Sequence, residues 1–381
     1  MQKSLIERLP GLITSGSNFA YICRFTNEER TIGNETLFAG GNIFESDSSE
    51  FLNNVTGKVP FMVSFSHARK VCGIRGKNSE YPGIVGLIPE EIFENTIRRG
   101  EMMAVVTDRK VFRDRAMEDR ILDVRRRIRE GEVLQVVLSR SFGPINPDPL
   151  ERLRSFISGD RSMYVFYYRF GKFEILGSSP ENVITVDGER MIIEPIAGTS
   201  PSSHDPEENR RIEYSLLHNE KELLEHRMLV DLARNDLGKI SVFGTVRVTQ
   251  SMAVRKFNSV MHIVSRVESI KRNDVSLSEV LDSVFPAGTV SGAPKERAIE
   301  IIDSFEEDDR GPYSGGIGIA GGGNMDLALS IRCIYRMNGS YYARAGAGIV
   351  KDSIPENEVQ EMFNKALSAA GGELNEIALC E

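Results

Sequence analysis

Ser162-Met-Tyr-Val-Phe-Tyr-Tyr-Arg-Phe170, Gly171-Lys172, Phe173-Glu-Ile-Leu-Gly-Ser-Ser179 is the stretch that decides the fold. Two runs of aromatic and β-branched residues meet across a two-residue turn that starts with glycine, which accepts the positive φ of a tight hairpin. A second hairpin follows at once, with residues 183–186 and 191–195 flanking Asp187-Gly188. Antiparallel pairing is therefore the organising interaction. Outward from this centre, residues 114–129 read as a helix stopped by Gly131, and 206–234 as a helix interrupted near His218-Asn219. Strand-like runs lie at 240–248 and 260–267, helices at 277–284 and 293–304, and a closing helix at 356–370. Residues 313–320 and 327–335 read as one more hairpin around Gly321-Gly322-Gly323-Asn324. The N-terminal third reads as β-rich, with segments such as Phe61-Met-Val-Ser-Phe-Ser and Met102-Met-Ala-Val-Val-Thr. Hairpins separated by helices, without strict βαβ alternation, predict an α+β fold built on large antiparallel sheets.

A chain of 381 residues, 40% of them hydrophobic, has the apolar material for a large core. No Pro/Ser-rich linker divides it, so residues 1–381 are expected to form one large globular unit, with a β-rich part at 1–113 and a catalytic part at 114–381. A formal charge of −8, from 47 basic and 55 acidic residues, argues against nucleic acid as a partner. The run Arg125-Arg126-Arg127 with Arg129 is interleaved with Glu118, Asp119, Asp123 and Glu130 and reads as a solvated helix face. Cys23, Cys72, Cys333 and Cys380 lie far apart with no Cys-x-x-Cys spacing, so neither a zinc site nor a dense disulfide framework is suggested, and a reducing cytoplasm is the expected setting. Lys3, Glu7, Arg8 and Pro10 interrupt the apolar residues of the N-terminus, and no run reaches 18 apolar residues, so neither a signal peptide nor a membrane span is expected.

Gly316-Ile-Gly318-Ile-Ala-Gly321 matches G-x-G-x-x-G, but a Gly-rich turn and a strand follow where a dinucleotide site needs a helix, so it is discarded. Two helices carry glutamates at i, i+3: Glu222 with Glu225, and Glu358 with Glu361. Such pairs are usually solvated. Glu225, however, runs into His226-Arg-Met-Leu-Val-Asp231-Leu-Ala-Arg234-Asn-Asp236, which is too apolar to lie wholly in water. Two such helices face to face can hold a hard cation with few protein ligands, as Mg²⁺ prefers.

Several motifs occur in order: Gln135-Val-Val-Leu-Ser-Arg140, Gly177-Ser-Ser-Pro-Glu181, Pro195-Ile-Ala-Gly-Thr199, the Glu225 to Asp236 run, Pro286-Ala-Gly-Thr-Val-Ser-Gly-Ala-Pro-Lys295, Arg310-Gly-Pro-Tyr313, Ala345-Gly-Ala-Gly-Ile-Val350 and Asn364-Lys365-Ala366. From about Gly131 to the C-terminus the chain thereby resembles the chorismate-utilising enzymes, and among them the large aminating subunits that form anthranilate. The resemblance implies a four-layer α/β/β/α fold whose sheets enclose a Mg²⁺-dependent chorismate site within 114–381. It implies that Glu225 and Glu361 bind Mg²⁺, with Glu222 and Glu358 as closer or water-mediated support. Backbone N–H groups of Gly346, Ala347 and Gly348 would cradle the ring carboxylate, Lys365 adding charge, while Tyr313 and Arg332 grip the enolpyruvyl carboxylate. Glu181 matches the general acid for the departing hydroxyl and needs a raised pKa for that task. By the same resemblance Thr289 would lie close to the hydroxyl and orient it, and His262 matches a histidine associated with pyruvate elimination.

Two positions discriminate within the family. Members that add water carry lysine where Gln135 stands, and members that make aminodeoxychorismate often carry lysine where Ala197 stands. The expected reaction is ammonia attack at ring carbon 2 with loss of the hydroxyl, then loss of pyruvate to leave anthranilate, a lyase reaction opening tryptophan synthesis. Aminodeoxychorismate formation is the alternative, with isochorismate or salicylate formation behind it. An inactive regulatory homologue is the alternative outside enzymes, and the intact set Glu181, Glu225 and Glu361 speaks against it. No cysteine context fits a glutaminase nucleophile, so ammonia is expected from a separate glutamine amidotransferase subunit in a heterodimer or heterotetramer. Tryptophan is the expected feedback inhibitor: Asn42-Ile-Phe-Glu45-Ser46 approximates the family's Leu-Leu-Glu-Ser, and Gly159-Asp-Arg-Ser-Met-Tyr164 aligns with its Asn-Pro-Ser-Pro-Tyr-Met without the prolines.

Overall fold

Phe170 faces Phe173 across a turn in which Gly171 has φ +59°, so the first hairpin closes where its sequence requires. The second turns one residue later than expected: Asp187 pairs with Arg190, and Gly188, at φ +58°, starts the turn. The computed structural model describes residues 4–27, 29–75, 77–99, 111–159, 162–203, 205–257, 260–372 and 374.

Among the described residues the strands form two antiparallel sheets. The nine-stranded sheet runs in the order Gly292–Ala293, Gln135–Ile145, Ser340–Ile349, Cys333–Met337, Phe173–Ser179, Tyr164–Phe170, Phe19–Phe25, Ile32–Ala39 and Glu91–Arg98. The ten-stranded sheet runs Ile196–Pro201, Val260–Ile270, Arg190–Ile193, Asn182–Asp187, Asn324–Leu329, Gly316–Gly321, Val59–Val63, Ile84–Ile88 and Asn42–Ser46, with Arg247–Phe257 also on Val260–Ile270. The N-terminal part thus contributes strands to both sheets.

The alternation along Tyr164–Phe170 explains the layering. Phe166, Tyr168 and Phe170 point into a core shared with residues of the other sheet such as Ile317 and Ala328, whereas Val165 and Tyr167 join the core that contains helix residues Leu153 and Phe156. Helices Arg115–Arg129, Pro149–Gly159, Lys295–Phe305 and Pro355–Ala369 pack on the nine-stranded sheet. Pro206–Leu217, Glu220–Gly238 and Leu277–Val284 pack on the ten-stranded one. The result is the α/β/β/α order, with helices outside and the two sheets face to face.

Three expectations need correction. Residues 240–246 are turns with one isolated bridge, Ser241 to Lys271, and the strand runs instead over Arg247–Phe257. Gly244, at φ +79°, breaks the segment, and Val242 and Phe243 are exposed, so only its ends, Ile240 and Val246, reach the core. Residues 327–335 are not one strand: Asn324–Leu329 belongs to one sheet and Cys333–Met337 to the other, with the crossing at Ser330, Ile331 and Arg332. The helix expected from 293 begins at Lys295, since Gly292–Ala293 pairs with Gln135 and Val136. The segment Met102 to Thr107 lies outside the described residues. Cys23, Cys72 and Cys333 form no disulfide, and no described helix is long and apolar enough to cross a membrane.

Candidate active site

The site lies where the chain passes between the sheets. Ser179 ends a strand of the nine-stranded sheet and Asn182 begins one of the ten-stranded sheet, leaving Pro180 and Glu181 in the crossing. Ser330 to Arg332 crosses beside it in the opposite direction. The two crossings are tied together by Leu329 N–H donating to the Glu181 carbonyl at 3.0 Å and Ser178 N–H donating to the Arg332 carbonyl at 3.2 Å. Arg332 has φ +48°, a left-handed backbone at the bend that returns the chain to the first sheet. Gly177 leaves room for that bend, since a Cβ there would stand 3.0 Å from the Arg332 carbonyl.

The Glu181 carboxyl is buried, and burial pushes its pKa up to about 8 against the lowering effects of the Thr289 hydroxyl and the Arg332 charge. Thr289 Oγ1 donates to Glu181 Oε1 at 2.9 Å. The pair borders a cavity of about 30 Å³ whose walls include Leu229, Leu232, Ala233, Val284 and Ala287, the apolar surroundings that disfavour the ionised form. A carboxylic acid that keeps its proton at neutral pH, with a hydroxyl on it, can protonate a leaving group.

One glutamate of each pair is linked to the strand Ser340–Ile349: Glu225 directly and Glu361 through Lys365. On helix Glu220–Gly238, Glu225 Oε1 accepts from Gln135 Nε2 at 3.3 Å and lies 3.7 Å from a Cβ built on Gly348. Glu222 Oε2 lies 3.3 Å from a Cβ built on Gly198. From the opposite helix, Pro355–Ala369, Glu358 is buried and Glu361 pairs with Lys365 at 2.6 Å, whose Nζ also donates to the Gly346 carbonyl at 3.1 Å. Among the described residues no three His, Cys, Asp or Glu side chains cluster closely enough to hold a metal by themselves. The donor set nonetheless fits Mg²⁺: oxygen-only carboxylates beside glycines with no side chain to fill the space, suited to an ion that takes one or two carboxylates and leaves its other positions to water or substrate.

From Arg344 to Ile349 this strand pairs with Gln135–Ile145 on one side, while its partner on the other side, Cys333–Met337, reaches only to Ala343. Among the described residues Gly346, Ala347 and Gly348 therefore have no strand along one edge, which leaves a backbone edge for an anion. Gly346 is required by its neighbours, because a Cβ there would stand 2.9 Å from Tyr313 Oη and 2.7 Å from the Leu138 carbonyl. Tyr313 is buried and its pKa is raised by that burial, so its hydroxyl stays a donor. His262 is held by the Gly198 carbonyl, to which its Nδ1–H donates at 2.8 Å. The structure brings Thr289 and Arg332 to Glu181 at this crossing, Glu222 and His262 to Gly198, Glu225 to Gln135 and Gly348, and Tyr313, Lys365 and Glu361 to Gly346 or its neighbours. Glu45 and Ser46 lie elsewhere, on Asn42–Ser46, the strand at the far end of the ten-stranded sheet, where Ser46 Oγ donates to the Ser48 carbonyl at 2.8 Å. A buried cluster of Glu306, Arg310 and Arg344 behind the site was visible in sequence only as the arginine of Arg310-Gly-Pro-Tyr313.

Fold and site together define an α+β enzyme built around a buried acid at a sheet crossing. The chorismate binding enzyme model matches residues 96–371, and the chain belongs to that family. It is 44% identical over 250 residues to anthranilate synthase component 1 of Acetivibrio thermocellus, covering 65% of this chain and 51% of that protein. It is 37% identical over 366 residues to the protein of that name from Methanothermobacter thermautotrophicus, covering 92% and 77%. The chain thus spans about half the length of the first relative and about three quarters of the second. The crystal structure of anthranilate synthase component I from Streptococcus pneumoniae superposes with a TM-score of 0.73 at 27% identity, covering 97% of this chain and 94% of that one.

Proposed function

We propose that the chain is the aminating subunit of an anthranilate synthase, a lyase that converts chorismate and ammonia to anthranilate and pyruvate. The observation that carries this reading is the buried Glu181 with the Thr289 hydroxyl on it. Ammonia attacks ring carbon 2, the ring double bonds shift, and the hydroxyl on carbon 4 leaves as water with the proton of Glu181. Thr289 aligns acid and hydroxyl. Tyr313 and Arg332 receive the enolpyruvyl carboxylate, and the edge at Gly346 to Gly348 receives the ring carboxylate, with Lys365 beside it. Mg²⁺, when bound by Glu225 and Glu361 with Glu222 and Glu358 in support, supplies positive charge that offsets the ring carboxylate. In the second half-reaction pyruvate leaves as the ring loses a proton. His262 is suited to take that proton, because its Nδ1–H is committed to Gly198 and Nε2 is the basic atom of the neutral ring.

Gln135 supports amination over water addition, since the group against Glu225 is an amide with no basic atom to activate water. Ala197 offers no amine to attack the ring. The names of the relatives agree with this choice. The ammonia source is a separate glutamine amidotransferase subunit, tryptophan is the feedback ligand, and the setting is the cytoplasm.

The test is product formation. Purified chain with chorismate, Mg²⁺ and ammonium salts is expected to release fluorescent anthranilate, and with glutamine to release none until the amidotransferase is added. Aminodeoxychorismate as the end product by mass would refute the reading, and an inhibition curve flat to millimolar tryptophan would remove the feedback role.

A further inference from the structure

Arg310 is fully buried, and its donors reach four residues: Glu306 and Ser314 four positions to either side, and Val290 and Val137 far off in sequence. Nε and Nη2 form a fork on Glu306 at 2.8 and 2.7 Å. Nη1 donates to the Val290 carbonyl at 2.8 Å and to Ser314 Oγ at 3.1 Å, and Nη2 also donates to the Val137 carbonyl at 2.6 Å. Glu306 is itself fixed by Ser139 N–H at 2.7 Å, Ser139 Oγ at 2.9 Å and Arg344 at 2.9 Å. Each anchor sits next to a residue of the site. Val290 follows Thr289, Val137 is the register partner of Gly348, Ser139 is the partner of Gly346, and Tyr313 N–H donates to the Arg310 carbonyl.

We propose that Arg310 is a positioning residue for the acid step: its guanidinium ties the Val290 carbonyl to the strand opposite Gly348 and thereby holds the Thr289 hydroxyl on Glu181. A lysine keeps the charge but not the fork, so it cannot span Val290, Val137 and Glu306 at once. The inference rests on Glu181 being the acid of the proposed reaction, but its test does not need turnover. Because the Thr289 hydroxyl bonds the carboxylate, losing it makes Glu181 hold its proton to higher pH.

The measurement is an infrared pH titration of the protonated Glu181 carboxyl, its band assigned by disappearance in Glu181→Gln. Thr289→Val and Arg310→Lys are both expected to move the midpoint upward, each by roughly three- to tenfold in acid constant, the size of one hydrogen bond. The double variant is expected to move no further than Thr289→Val alone. Arg99→Lys removes another buried guanidinium, bonded to the Ile157, Arg30 and Ser162 carbonyls, and is expected to lower the melting temperature without moving the midpoint. A wild-type midpoint in Arg310→Lys, additive shifts in the double variant, or an equal shift in Arg99→Lys would overturn the proposal. Should Arg310→Lys not fold, Ser139→Ala, which removes one of the three donors on Glu306 Oε1, is expected to shift the midpoint the same way by less, and an unmoved midpoint there counts against it. Wild-type protein that titrates as described but forms no anthranilate would instead refute the proposed function.

Discussion

Glu181 and Glu306 are both buried glutamates at one site, and they are driven in opposite directions. Glu181 is pushed up to about 8 and Glu306 is held down at about 2, although burial raises both. The difference is in their partners. Glu181 has the Thr289 hydroxyl and the charge of Arg332, too little to offset desolvation. Glu306 has two guanidiniums together with the N–H and hydroxyl of Ser139, and those outweigh it. Similar burial therefore yields a proton donor in one place and a fixed anion in the other, and the number of donors facing the carboxyl decides which.

The comparison can be broken from either side. Removing the acid has the largest effect: Glu181→Gln is expected to cut anthranilate formation from ammonia by roughly 100- to 10,000-fold in the fluorescence assay, with the circular dichroism spectrum unchanged. Glu306→Gln leaves two buried guanidiniums without their carboxylate and is expected to cost roughly 3–5 kcal/mol in urea unfolding.

Titration sharpens the contrast. The folded pKa of Glu181 lies above its ordinary value of 4.5, so its stabilising contribution is complete below about 4.5 and is lost as pH rises through about 8. Glu181→Gln should therefore gain stability relative to wild type across that window, read as melting temperature against pH. Glu306 has the opposite sign: its contribution is present above 4.5 and is lost as pH falls through about 2. The smallest effect is expected at Gly348→Ala, whose methyl would meet the Gln135 amide and approach Glu225. The Mg²⁺ concentration for half-maximal rate should rise roughly tenfold, and an unchanged requirement would show that Glu225 is not a metal ligand.

Much of the fold was legible in the sequence. The hairpins at Gly171 and Gly188 and the helix Leu277–Val284 follow from turn glycines and apolar spacing, all properties of neighbouring residues. The break between Leu329 and Cys333 was not legible, because Leu327 to Tyr335 is apolar enough to pass for one strand and only the packing of two sheets divides it. The motifs named Glu181, Thr289 and Tyr313 but passed over Arg310, whose role depends on carbonyls that no side-chain pattern records.

Local sequence alone determined the hairpins at Gly171 and near Gly188 and which helices carry paired carboxylates, since each depends on residues a few positions apart. Only the tertiary structure decided what those carboxylates meet. Thr289 reaches Glu181 across 108 residues and Arg310 reaches Val137 across 173, and the charge state of a buried group is set by such distant neighbours.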